Sequence, residues 1–87
     1  MYKVILNSEA QKDIVLLQRH APAAIKKLAK LLDELKEHPR TGTGQVEQLR
    51  HYKEEIWSRR ITAEHRLVHR IYEDVVEVIV VAAYGHY

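Results

Sequence analysis

Residues 57–70 read WSRRITAEHRLVHR, two runs in which polar and apolar side chains take turns, separated by a few polar residues. Successive side chains of a β-strand point to opposite faces, so Trp57, Arg59 and Ile61 share one side and Ser58, Arg60 and Thr62 the other. Trp57 and Ile61 belong in a core, which leaves Arg60 on the polar face. In the second run Arg66, Val68 and Arg70 stand opposite Leu67, His69 and Ile71. Folded back as a hairpin, the two runs bring Arg60 and Arg66 together across the ladder.

The same period of two extends outward from this stretch. It predicts strands near residues 47–51, 56–62, 66–72 and 75–83, the last with Val76, Val78, Val80 and Ala82 on its core face. The segment PRTGTG at 39–44 is rich in turn formers, and upstream of it the period becomes 3.6. Ile25, Leu28, Leu32 and Leu35 form the stripe of a helix that Pro22 opens and that runs to Glu37, just before His38-Pro39. Ala10, Ile14 and Leu17 form the stripe of an earlier helix ending near His20, with Ser8 as its cap and Gln11 in capping-box position. MYKVILN, at the start, reads as a short strand over residues 2–7. The expectation is an α+β fold: a short N-terminal strand and two antiparallel helices packed on one face of a curved, mainly antiparallel sheet, as a single domain over residues 1–87.

Composition narrows the function. The chain has 87 residues, 46% hydrophobic and 30% charged, which fits one small globular domain and excludes a large multidomain enzyme. It has no cysteine, so disulfides, thiolate zinc sites and cysteine nucleophiles are excluded and a reducing cytoplasm fits best. No signal peptide is evident. The longest apolar run, 75–83, is interrupted by Glu77 and falls well short of the roughly 20 residues that span a bilayer, so no membrane segment is expected. The net charge is only +2, so the placement of charge carries more information than its sum.

A single exposed strand arginine is usually a solvated guard against edge pairing. Two or three converging on one face are different, because like charges opposite one another destabilise a sheet unless an anion sits between them. The fork of arginine suits phosphate oxygens. Glu47, His51 and the terminal Gly85-His86-Tyr87 add a carboxylate and imidazoles, which together form a metal-free set for phosphoryl chemistry. His65 and His69 lie roughly 13 Å apart on a strand, too far to share one ion, and no metal or cofactor is expected. The GTG at 42–44 lacks a following Gly-Lys-Ser/Thr and is not a phosphate loop.

The combination WSRRIT.EHRLV, a preceding E.L.H segment at 47–51 and a terminal HY resembles the YoeB-type toxins, within the RelE-like ribosome-dependent mRNA interferases. The resemblance covers essentially the whole chain. It implies the toxin half of a type II toxin-antitoxin pair: an endoribonuclease that cleaves mRNA in the ribosomal A site without a metal. By it, Glu47 is the general base on the ribose 2′-hydroxyl, His86 the general acid, and Arg66 the stabiliser of the phosphorane. Arg60 and Arg50 hold neighbouring phosphates, Tyr87 orients the terminal pocket or stacks on a base, and His51 is an auxiliary. The partners implied are mRNA and the ribosome, a YefM/Phd-like antitoxin, and DNA only through the antitoxin complex; a homodimer stays open. Relative to that pattern, Glu54-Glu55 replaces a glycine-bearing turn, His69 replaces a frequent tyrosine, and Val46 and Gln48 flank Glu47 where prolines are common. The rival expectation is a non-catalytic RNA- or antitoxin-binding module of the same fold, against which stands Glu47, a carboxylate that a mere phosphate binder does not need.

Overall fold

A computed structural model describes residues 1–85. The element order is β1 (Lys3–Leu6), α1 (Ser8–His20), a 3-10 turn (Pro22–Ala24), α2 (Ile25–Leu35), β2 (Glu47–Leu49), β3 (Glu55–Arg60), β4 (Arg66–Tyr72) and β5 (Glu77–Ala82). The strands form one sheet in the order β1-β5-β4-β3-β2. The β2, β3, β4 and β5 neighbours run antiparallel, while β1 pairs parallel with β5, so the sheet is mixed. Parallel pairing at that edge follows from connectivity, because more than half the chain separates β1 from β5 and no hairpin constrains them.

The alternation of β3 and β4 holds. Arg59 pairs with Leu67, Trp57 with His69, Ser58 with Val68 and Arg60 with Arg66. Leu67, Ile71, Val78, Val80 and Ile61 form one buried cluster with Ala10 and Leu17 of α1 and Leu28, Leu31 and Leu35 of α2. Both helices therefore cover this face. Glu47, Ser58, Arg60, Arg66, Val68 and Arg70 share the other.

Four details differ from expectation. The cap of α1 is Asn7, whose Oδ1 accepts from the Ala10 N–H at 2.8 Å, and Gln11 reaches back to the Leu6 carbonyl at 3.0 Å instead of closing a capping box on Ser8. Asparagine caps about as well as serine, so the helix can start one residue earlier with Ser8 inside it. Pro22 opens a separate 3-10 turn, and α2 begins at Ile25 and ends at Leu35, with Leu31 rather than Leu32 fully buried. Val76 is not on the core face: it lies in the β4–β5 turn with φ of 54° and is 44% exposed. Ala82 is not on it either. Val68 faces Ala82 while its neighbour His69 faces Val80, so β5 carries one extra residue, a bulge at Val81. The bulge reverses parity, and Ala83 becomes the buried residue, its N–H donated to Asp13 Oδ2 of α1 at 2.9 Å.

The segment between α2 and β2 crosses the end of β3. Gly44 accepts from the Arg60 N–H, and a Cβ at Gly44 would lie 2.8 Å from the Arg60 carbonyl oxygen, at a φ of +100°. Only glycine fits there. The loop is also pinned from beneath. Arg59, with no exposed surface, donates to the carbonyls of His38 and Thr41 at 3.1 Å each and to Glu34 Oε1 at 3.3 Å. Glu34 also accepts from the Thr43 N–H at 2.9 Å, the main reason its carboxyl sits below the usual range. His69 Nε2 meets the Pro39 carbonyl at 2.7 Å. Arg40 grips Glu55 through Nε at 2.7 Å and Nη2 at 3.0 Å, and reaches Glu73 at 2.8 Å. Those bonds hold Glu55 below the carboxylate range and explain why a charged residue stands where a turn glycine was expected.

Candidate functional site

The face away from the helices carries the charge that the sequence singled out. Glu47, the first residue of β2, stands directly across from Ser58. Across a ladder, facing Cβ atoms lie about 5 Å apart. The next exposed position of β3 on that face is Arg60, whose cross-strand partner is Arg66. Two arginines thus stand opposite each other in register on one surface, and like charges so placed repel unless an anion relieves them.

Arg66 is the better fixed of the two. Its Nε donates to Ser58 Oγ at 2.5 Å and its Nη2 to the Gln45 carbonyl at 3.2 Å. Ser58 is 1% exposed, so its hydroxyl is a rigid acceptor. Gln45 holds a left-handed φ of 53°, which turns its carbonyl inward just before β2 begins. Glu47 is exposed and enters no ion pair among the described residues. The Arg66 guanidinium is thus oriented by neutral acceptors that do not cancel its charge.

Arg50 and His51 are on the same strip but further along it, past Leu49 and into the β2–β3 turn, where His51 has a φ of 72°. With Gln48, Leu49, Tyr52 and Glu54 they line a concavity of about 240 Å³. Glu47, Arg60 and Arg66 therefore occupy neighbouring register positions, while Arg50 and His51 lie past the end of β2 remote from Arg60, around the concavity. His86 and Tyr87 lie outside the described residues.

Sequence reasoning missed the supports. Ser58 carried no signal beyond its parity with Arg60. Arg59 did carry one: alternation already placed it with Trp57 and Ile61 on the core side, where a buried arginine must find several acceptors. His69, likewise core-facing by parity, is fully buried, and burial pushes its pKa down to about 4. Among the described residues no helix is long and apolar enough to cross a membrane.

Residues 6–87 match a protein family described as the YoeB-like toxin of bacterial type II toxin-antitoxin systems. The chain is 34% identical over 85 residues to the toxin YoeB of Escherichia coli strain K12, covering 98% of this chain and 99% of that one. Its fold superposes on a YoeB/ParE toxin from Agrobacterium tumefaciens with a TM-score of 0.86 at 32% identity, over 98% of this chain and 99% of that chain. It also superposes on the toxin of a YoeB-YefM complex from Staphylococcus aureus, with a TM-score of 0.78 at 25% identity, over 100% of this chain and 99% of that chain.

Proposed function

The chain belongs to the YoeB-like toxin family of bacterial type II toxin-antitoxin systems, and from that premise we propose that it is a ribosome-dependent endoribonuclease acting on mRNA in the decoding site. Glu47 takes the proton of a ribose 2′-hydroxyl, and the freed oxygen attacks the adjacent phosphorus. Arg66 meets the charge that builds on the phosphorane. His86 protonates the departing 5′-oxygen, leaving a 2′,3′-cyclic phosphate on the upstream fragment. Arg60 and Arg50 hold the neighbouring phosphates, with His51 as an auxiliary beside Arg50 and Tyr87 stacking on or orienting a base. The reaction needs no metal or cofactor.

The observation that carries this reading is the triangle at Ser58. Its hydroxyl fixes Arg66, and its cross-strand neighbour is Glu47, so a base and a charge stabiliser flank one point on an otherwise basic face. Preorganised donors aimed where charge develops are the main source of catalysis in such sites. A pure binding module gains nothing from the carboxylate, which repels the phosphates that the arginines attract.

By the same reading the chain is held inactive in the cytoplasm by an antitoxin of the YefM kind, a protein that forms a complex with YoeB in Staphylococcus aureus, and it reaches DNA only through its own antitoxin complex. The test is induction in growing cells with and without the product of the neighbouring gene, with transcript ends mapped by primer extension. Growth arrest with new ends inside translated reading frames, both suppressed by the neighbour, is expected. Unchanged transcripts and normal growth would overturn it.

A further inference from the structure

His65 occupies the residue before Arg66, and the chemistry above gives it no task. Its backbone is held by the β3–β4 turn: its carbonyl accepts from Ile61 at 2.9 Å and Thr62 at 3.1 Å, and its N–H donates to Thr62 Oγ1 at 3.2 Å. Its ring faces the other way, toward the C-terminal end of the chain. Nδ1 accepts from the Gly85 N–H at 2.9 Å, while the Arg66 N–H donates to the Gly85 carbonyl at 3.0 Å. The ring also stacks on Tyr84, with centroids 4.5 Å apart and planes at 25°. Tyr84 in turn meets His20 of α1 at 6.1 Å.

Both polar groups of Gly85 are therefore taken, one by the side chain of His65 and one by the backbone of Arg66. Gly85 adopts a φ of +75°, a bend that a side chain disfavours. An imidazole that accepts at Nδ1 carries its proton on Nε2, so the contact fixes the tautomer as well as the ring.

We propose that His65 is a positioning residue: a clasp that fixes Gly85 beside Arg66 and so sets the attachment point of the two residues that follow, His86 and Tyr87. This rests on the functional reading above, in which His86 is the acid. The consequence is geometric coupling. The strand start that carries the Arg66 guanidinium also holds Gly85, the residue to which the segment bearing the proposed acid is joined. A misplacement of about 1 Å can cost on the order of 10²-fold in rate.

Two substitutions separate the parts of the clasp. His65→Asn keeps an acceptor oxygen near the place of Nδ1 but loses the stack; His65→Phe keeps the stack and loses the acceptor. Single-turnover cleavage on programmed ribosomes is expected to fall by roughly 10- to 100-fold in His65→Phe, with ribosome affinity unchanged, and to return to within a few-fold of wild type in His65→Asn. Amide exchange at Gly85, read by NMR on the isolated protein, is expected to be slow in wild type and His65→Asn and fast in His65→Phe. The ¹⁵N shift of His65 Nδ1 in the wild-type protein is expected to be that of an unprotonated nitrogen, a reading that needs no variant to fold. A protonated Nδ1, a rapidly exchanging wild-type Gly85, or a His65→Phe protein cleaving at the wild-type rate would overturn the clasp. Wild-type protein that leaves the message intact would overturn the functional reading instead, and the Gly85 amide would still decide the contact.

Discussion

Replacing Ser58 by alanine removes one oxygen from a site that is 1% exposed, the oxygen that accepts from Arg66 Nε. The guanidinium loses its 2.5 Å bond from Nε and keeps the 3.2 Å bond from Nη2 to Gln45. Hydrogen bonds to charged groups contribute about 1.5–3 kcal/mol. At about 1.36 kcal/mol per decade, loss of that constraint in the transition state slows cleavage by between roughly tenfold and a hundredfold. Folding should suffer less, by about 1 kcal/mol, because Arg66 is half-buried and can turn its freed N–H to water. The assay is single-turnover cleavage of a defined message on programmed ribosomes at saturating toxin, with thermal unfolding measured alongside. A Ser58→Ala protein that cleaves at the wild-type rate would refute the claim that Ser58 orients Arg66. Weakened ribosome binding with unaltered chemistry would show that Arg66 grips the ground state instead of the transition state.

Arg59→Met removes the ion pair to Glu34 and strands two loop carbonyls that Arg59 now satisfies; the loss should be about 3 kcal/mol, seen as a fall in Tm of at least about 10 °C, and an unchanged Tm would contradict the pinning of the loop. Gly44→Ala sets a methyl 2.8 Å from the Arg60 carbonyl at a left-handed φ, so a destabilisation of about 3 kcal/mol is expected; a fall in Tm of under about 2 °C would show that the loop does not lie against β3. His69 has a folded pKa of about 4, depressed chiefly by burial, with its Nδ1 lacking a hydrogen-bond partner among the described residues. The unfolded chain therefore binds the proton first: stability from this group is whole above about pH 6.5 and falls by about 3 kcal/mol as the pH drops toward 4. Denaturant unfolding across that range should show this slope in wild type and a flatter one in His69→Gln, above the range where the carboxylates Glu34 and Glu55 add their own loss; identical slopes would contradict it.

The sheet was legible because a period of two is a strong local signal, and the pairing of Arg60 with Arg66 followed from the hairpin alone. The bulge at Val81 was not legible, since an inserted residue in a run of valines leaves the pattern unchanged while reversing which residues face inward. Val76 was misplaced for a related reason: its β-branched side chain favours a strand, but the short connection after Tyr72 needed it in the turn. Arg60 and Arg66 could be placed on one face from parity, whereas Glu47 was tied to them by the family resemblance. Ser58, Gln45 and His65 could not be given their tasks, because each acts through a contact between residues distant in sequence, and one of those contacts uses only a backbone carbonyl.

The most direct measurement is the chemistry of the ends made by purified protein on ribosomes carrying a defined message, read by mass spectrometry of the upstream fragment for wild type and Glu47→Gln. Transesterification from Glu47 predicts a 2′,3′-cyclic phosphate, or the 3′-phosphate into which it opens, at a position in the decoding site, slowed by about 10²- to 10⁴-fold when the carboxylate is lost. A 3′-hydroxyl end, or full activity in Glu47→Gln, would contradict it.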